Sequence, residues 1–131
     1  MRQLELFEVV GGMPFFEQLV DRFYEGVASD PILRPLYPEP DLAGARHRLT
    51  LFLAQYWGGP ATYSEERGHP RLRMRHMPFA IGGVERDRWL LHMRAAIEAS
   101  DAPEEARARL NEYVTMAAEA MRNRPDESVA G

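Results

Sequence analysis

The chain has 131 residues, a formal charge of −4, 45% hydrophobic and 27% charged residues, and no cysteine. That is enough for one core in one domain of ordinary globular composition. The acidic balance gives no general reason to bind nucleic acid, and the lack of thiols excludes disulfides, thiolate nucleophiles, iron–sulfur clusters and zinc ribbons.

Leu4, Phe7 and Val10 share one face of a short first helix, stopped by Gly11-Gly12. Pro14 suits the first turn of a second helix. Its apolar residues, Phe15, Phe16, Leu19, Val20, Phe23, Tyr24 and Val27, recur at steps of three and four. Tyr24 falls on that stripe, so its hydroxyl needs an interior partner. Asp30-Pro31 reads as an N-cap followed by a first-turn proline. Pro35 and Pro38 keep that element short, and Tyr37 ends it. A third long helix is predicted from its cap, Asp41, to about Trp57, with Leu42, Ala45, Leu49, Phe52, Leu53 and Tyr56 on its apolar face. Gly58-Gly59-Pro60 ends it.

From Thr62 to Pro70 no period of either kind is visible. A short helix over about Leu72–His76 follows, closed by Pro78. Gly82-Gly83 marks the next break. The fourth long helix runs from about Val84 to Ala99, with Trp89, Leu90, Met93, Ala96 and Ile97 inward. Asp101 with Glu104 resembles a capping box for the last helix. Ala106, Leu110, Tyr113, Val114, Ala117 and Met121 form its stripe, Pro125 follows its end, and 126–131 read as a frayed tail. No alternating strand pattern is present. The expectation is an all-α fold in a single domain over 1–131. No apolar run approaches the roughly 18 residues of a membrane span, and the first residues lack a leader pattern, so a cytoplasmic protein is expected.

Four histidines compete for a chemical role. His47 lies roughly opposite Ala45 and Leu49 and reads as solvated. His69, before Pro70, suits a loop hydrogen bond. His92, three residues after Trp89, reads as a satisfied boundary histidine. His76 ends a short helix, with Leu72, Met77 and Phe79 able to form an apolar wall. On its own it is either a histidine at a helix C-terminus or a single imidazole on one side of a planar iron cofactor. Arg67, Arg71, Arg73 and Arg75 read as a solvated cationic face, as an anion clamp, or, more weakly, as a nucleic-acid contact. The methionines Met74, Met77, Met93, Met116 and Met121 read as core filler.

Several strings then coincide: Arg22-Phe23-Tyr24, Tyr37-Pro38 with Asp41-Leu42-Ala43-Gly44, Gln55-Tyr56-Trp57-Gly58-Gly59-Pro60, and Tyr63-Ser64-Glu65. They are followed by Gly68-His69-Pro70-Arg71-Leu72-Arg73-Met74-Arg75-His76 and Glu85-Arg86-Asp87-Arg88-Trp89-Leu90. From about Phe7 to Met121 the chain resembles the group II truncated haemoglobins, bacterial two-over-two globins. The resemblance implies a globin-like two-over-two helical sandwich around haem b (iron protoporphyrin IX). The second and third helices would pack on the last two, with the helix before the iron ligand reduced to one turn.

Carried over residue by residue, His76 matches the proximal iron ligand. Tyr24, Tyr37 and Trp89 match the distal residues that donate hydrogen bonds to the bound gas. Ala45 stands where ordinary globins have the distal histidine, with Leu49 one turn on, and its small size implies a short access route for ligands past the third helix. Arg48, Tyr63 and Arg75 are candidates for the propionate side, and Phe52, Leu72, Met77 and Phe79 for the haem walls. The implied function is binding of O2, NO or CO at a five-coordinate ferrous iron, with high O2 affinity and slow release. The alternative is a redox enzyme with NO dioxygenase or peroxidase-like activity. Candidate partners beyond the gases are a reductase for ferric haem and a second copy in a homodimer; no nucleic acid is expected.

Overall fold

The computed structural model describes residues 3–124, with side chains from Leu6 onward. Among the described residues there are seven α-helices and no strand. They are α1 (Gln3–Val9), α2 (Met13–Ala28), α3 (Ala43–Tyr56), α4 (Thr62–Arg67), α5 (Leu72–His76), α6 (Gly83–Glu98) and α7 (Glu104–Ala120), with a 3-10 turn at Arg34–Leu36 between α2 and α3. The side chain of Leu4, Pro125 and the 126–131 tail lie outside the described residues.

The all-α expectation holds, and its physical basis is the stripe on α2. All seven of its apolar residues from Phe15 to Val27 are buried. A large apolar side chain taken fully from water contributes about 1.5–3 kcal/mol, so this helix is the centre of the core. It packs on α3 to one side and α6 to the other, and α6 packs on α7. The α3 layer meets α7 where Tyr56 stacks on Tyr113, ring centroids 4.0 Å apart. Two helices thus lie over two. The break before α2 depends on glycine, because Gly11 and Gly12 take φ of 104° and 80°, a region closed to most side chains.

Some local expectations give way. The stretch after Pro60 is a helix, α4, and not an irregular loop. It buries Tyr63 alone, so no stripe betrays it. It is held to α3 by Gln55, whose amide donates to Ser64 Oγ at 2.8 Å and accepts from the Ser64 N–H at 3.0 Å. Asp101 does not cap α7; Pro103 holds the N-cap position and no side chain bonds there. Asp41 does accept from the Ala43 N–H, at 2.9 Å. Of the methionines, Met93 is fully buried, but Met74, Met77 and Met116 are each more than half exposed. On the one turn of α5 it is Leu72, Arg75 and His76 that face the cavity between the helix layers, and Met74 and Met77 are left to solvent.

The α2–α6 crossing is close enough to exclude a methyl group. A Cβ on Gly26 would lie 2.3 Å from Nδ1 of His92. That ring cannot withdraw easily, since its Nε2 bonds Asp30 at 2.6 Å. Gly26→Ala should therefore destabilise the protein by about 1–3 kcal/mol, read as a lower urea midpoint at unchanged slope. An unchanged midpoint would show that the ring moves aside.

Candidate functional site

Between the two helix layers lies a cavity of about 480 Å³. It is walled by side chains from α2, the 3-10 turn, α3, α4, α5, α6 and α7. Many are apolar yet only partly buried, among them Leu36, Leu49, Phe52, Phe79, Trp89 and Tyr113. Apolar surface left wet at the centre of a fold suits a flat, largely apolar occupant.

The sequence-derived candidates converge here. Tyr24, Tyr37, Ala45, Arg48, Leu49, Phe52, Tyr63, Leu72, Arg75, His76, Phe79 and Trp89 all line the cavity. Met77 does not; it is 52% exposed and outside the wall. Sequence reading missed Ile81, Arg86 and, as cavity residues, Tyr113, Ala117 and Met121. The last three stand on the α7 stripe, and periodicity marks a buried face without saying whether it meets protein or a cavity.

On one side, His76 ends the five-residue α5. Its Nδ1 lies 2.7 Å from the Leu72 carbonyl oxygen. A carbonyl can only accept, so Nδ1 carries the proton and Nε2 keeps its lone pair. Nε2 has no partner among the described residues. No group of three or more His, Asp or Glu able to hold a bare metal ion occurs among the described residues. A single imidazole with a free nitrogen on the wall of a largely apolar cavity is a donor set that fits a metal carried in a macrocycle.

The same cavity is lined by aromatic residues with polar tips, Tyr24, Tyr37 and Trp89. Tyr24 is buried, and its ring meets Tyr37 edge-on at 5.6 Å. Burial pushes both phenols above their ordinary pKa. Both therefore remain neutral hydroxyls, each able to donate a hydrogen bond. Trp89 packs edge-on against Phe23 at 5.4 Å, and its indole N–H has no acceptor among the described residues.

The rim is charged. Arg48 pairs with Glu39 at 3.2 Å. Arg67 lines the cavity. Arg75 also lines it, but its guanidinium donates to the carbonyls of Pro70 at 2.7 Å and Arg67 at 2.9 Å. It braces the loop before α5, which leaves less of it for an anion. His47 is exposed and paired with Glu66, as a surface histidine should be.

His92 is satisfied in an instructive way. Asp30, fully buried, accepts from His92 Nε2 at 2.6 Å and from Arg88 Nε at 3.0 Å through Oδ2. Its Oδ1 accepts from the N–H groups of Ile32 at 2.8 Å and Leu33 at 3.2 Å. Burial by itself would raise the Asp30 pKa, but these four donors outweigh it and hold the carboxyl well below its usual range. Arg88 and His92 flank Trp89 on α6, so this carboxylate fixes the helix that carries Trp89 against the turn that leads to Tyr37.

The bacterial-like globin family model matches residues 5–123. A thermostable hemoglobin from the actinobacterium Thermobifida fusca superposes with a TM-score of 0.90 at 60% identity, covering 92% of this chain and 98% of that one. The group II truncated hemoglobin of Bacillus anthracis gives 0.90 at 38% identity, covering 96% of each. Group 2 truncated hemoglobin YjbI of Bacillus subtilis is 48% identical over 87 residues, 66% of this chain. The match spans 65% of that relative's length.

Asp30→Asn should cost at least about 2 kcal/mol, because the charge-assisted hydrogen bonds to α6 weaken. A depressed carboxyl contributes stability above its unfolded pKa of about 3.9, which is lost as pH falls through the lower folded value. The parent's stability should thus decline below about pH 4, and the difference between parent and variant should shrink there. Urea melts across pH 2–7 read both.

Proposed function

Because the chain belongs to the bacterial-like globin family, as a group II truncated hemoglobin, we propose that it holds haem b through His76. On this reading it binds O2, NO or CO in the aromatic side of the cavity, with slow release of O2. The observation that carries the reading is the pairing of a free imidazole Nε2 with a row of neutral hydrogen-bond donors across one apolar cavity. The haem supplies the iron on which a diatomic gas is taken up. The absence of cysteine rules out the thioether attachment of c-type haem.

The chain's own residues then have separable tasks. The Leu72 carbonyl fixes the His76 tautomer and raises the basicity of Nε2. Phe52, Leu72 and Phe79, which line the cavity, would supply apolar walls for the ring. Arg48 and Arg67 stand at the rim for the propionates. Tyr24, Tyr37 and Trp89, which all line the cavity, are the donors available to a polarised gas molecule. A hydrogen bond to a charged acceptor contributes about 1.5–3 kcal/mol, and each 1.4 kcal/mol is about tenfold in affinity. Two such donors favour retention of O2 over rapid exchange. Ala45, small and buried on α3, would leave room for a short ligand route past that helix. No helix among the described residues is long and apolar enough to cross a membrane, which accords with a cytoplasmic setting.

The test begins with the colour of the purified protein. Loaded with haem it should show a Soret band, and His76→Gly should lose the ferrous five-coordinate spectrum or the haem itself. An unaltered spectrum in that variant would remove His76 from the iron. Trp89→Phe should speed O2 dissociation about tenfold, the equivalent of one hydrogen bond. A stopped-flow rate equal to the parent's would mean that the indole does not donate.

A further inference from the structure

The segment that carries His76 is not self-supporting. A five-residue helix is far below the length at which a helix is stable alone, and residues 77–82 after it have no regular structure. Glu85 holds the Gly82 N–H at 2.7 Å, and the middle of the segment is held by one side chain from beyond the end of α7. The Asn123 amide nitrogen donates to the carbonyls of Phe79 at 2.8 Å and His76 at 3.3 Å. Its Oδ1 accepts from the Ile81 N–H at 2.9 Å. The backbone N–H groups of Asn123 and Arg124 both donate to the Ile81 carbonyl, at 2.8 and 3.1 Å. Only this orientation of the amide works, because the flipped one would set its oxygen against two carbonyl oxygens. Next to it Arg73, on α5, donates to the carbonyls of Ala120 at 2.7 Å and Arg122 at 3.2 Å, a cation at the C-terminal end of α7.

We propose that Asn123 is a positioning residue for His76. Its amide holds the carbonyl of His76 itself and two groups of the irregular segment behind it, so it sets the angle at which the imidazole meets the cavity. It touches neither the cofactor nor the gas. The proposal rests on the reading of His76 as the iron ligand. It makes the end of α7, 47 residues away in sequence, part of the proximal site.

The haem-loaded protein is compared with Asn123→Ala and Asn123→Asp. The aspartate keeps the shape and the acceptor but cannot donate to the two carbonyls. The readouts are the iron–imidazole stretching band of the ferrous form by resonance Raman, haem transfer to excess apomyoglobin, and circular-dichroism melts. Both variants should shift or broaden the band and speed haem transfer by about tenfold or more, the usual scale for an outer-shell partner of a metal ligand. If the alanine variant does not fold, the isosteric aspartate variant carries the same readouts. A lowered melting temperature with band and transfer rate unchanged overturns the proposal, since Asn123 would then only stabilise the fold. His76→Gly is the separate control: a band that survives it defeats the ligand reading itself, and one that vanishes leaves the Asn123 result to be judged on its own.

Discussion

The carboxylate of Asp30 is the interaction on which the distal half of the molecule depends. It is buried, charged and fully hydrogen-bonded, with two donors from its own turn and two from α6. An ionised group in that position is stable only while every donor stays in place. Rotation of α6, or a shift of the turn after α2, would strip it. Because Arg88 and His92 stand one residue before and three after Trp89, holding them holds the indole. Because Ile32 and Leu33 lead into the 3-10 turn, holding them holds Tyr37. Gly26 makes the arrangement sterically possible, since α6 presents the His92 ring where a side chain on α2 would otherwise be.

The opposite half is built on another principle. There the elements are short, and their geometry comes from polar side chains that reach across the chain. Arg75 binds the loop that precedes α5, Arg73 binds the end of α7, and Asn123 binds the segment that leads to α6. A donor set carried by long, packed helices is fixed by the core itself. A side chain carried on one helical turn, as His76 is, needs such braces, and Arg71 just before it takes a positive φ of 43°.

Between the halves, aromatic rings form the rigid lining. Edge-on pairs join Tyr24 to Tyr37, Phe23 to Trp89 and Phe52 to Tyr63, and Tyr56 stacks on Tyr113. Each pair adds about 0.5–1.5 kcal/mol beyond burial. More usefully for function, each fixes the plane of a ring that would otherwise be free to fill the cavity.

The sequence by itself determined the long helices, because stripes at steps of three and four on α2, α3, α6 and α7 are a local property of the chain. It also marked Tyr24, Tyr37, His76 and Trp89 as residues to watch, and identified the family they resemble. Tertiary structure alone decided the rest. Asp30 read as a helix cap; its Oδ1 instead holds the N–H groups of the turn at Ile32 and Leu33, and its Oδ2 serves partners 58 and 62 residues away. Arg75 read as an anion clamp and is largely a loop brace. Helix α4 was invisible with a single buried side chain, and Asn123 had no local pattern at all. The reason is common to these cases: periodicity records which face of an element is buried, whereas a hydrogen-bond partner far along the chain leaves no mark on residue spacing.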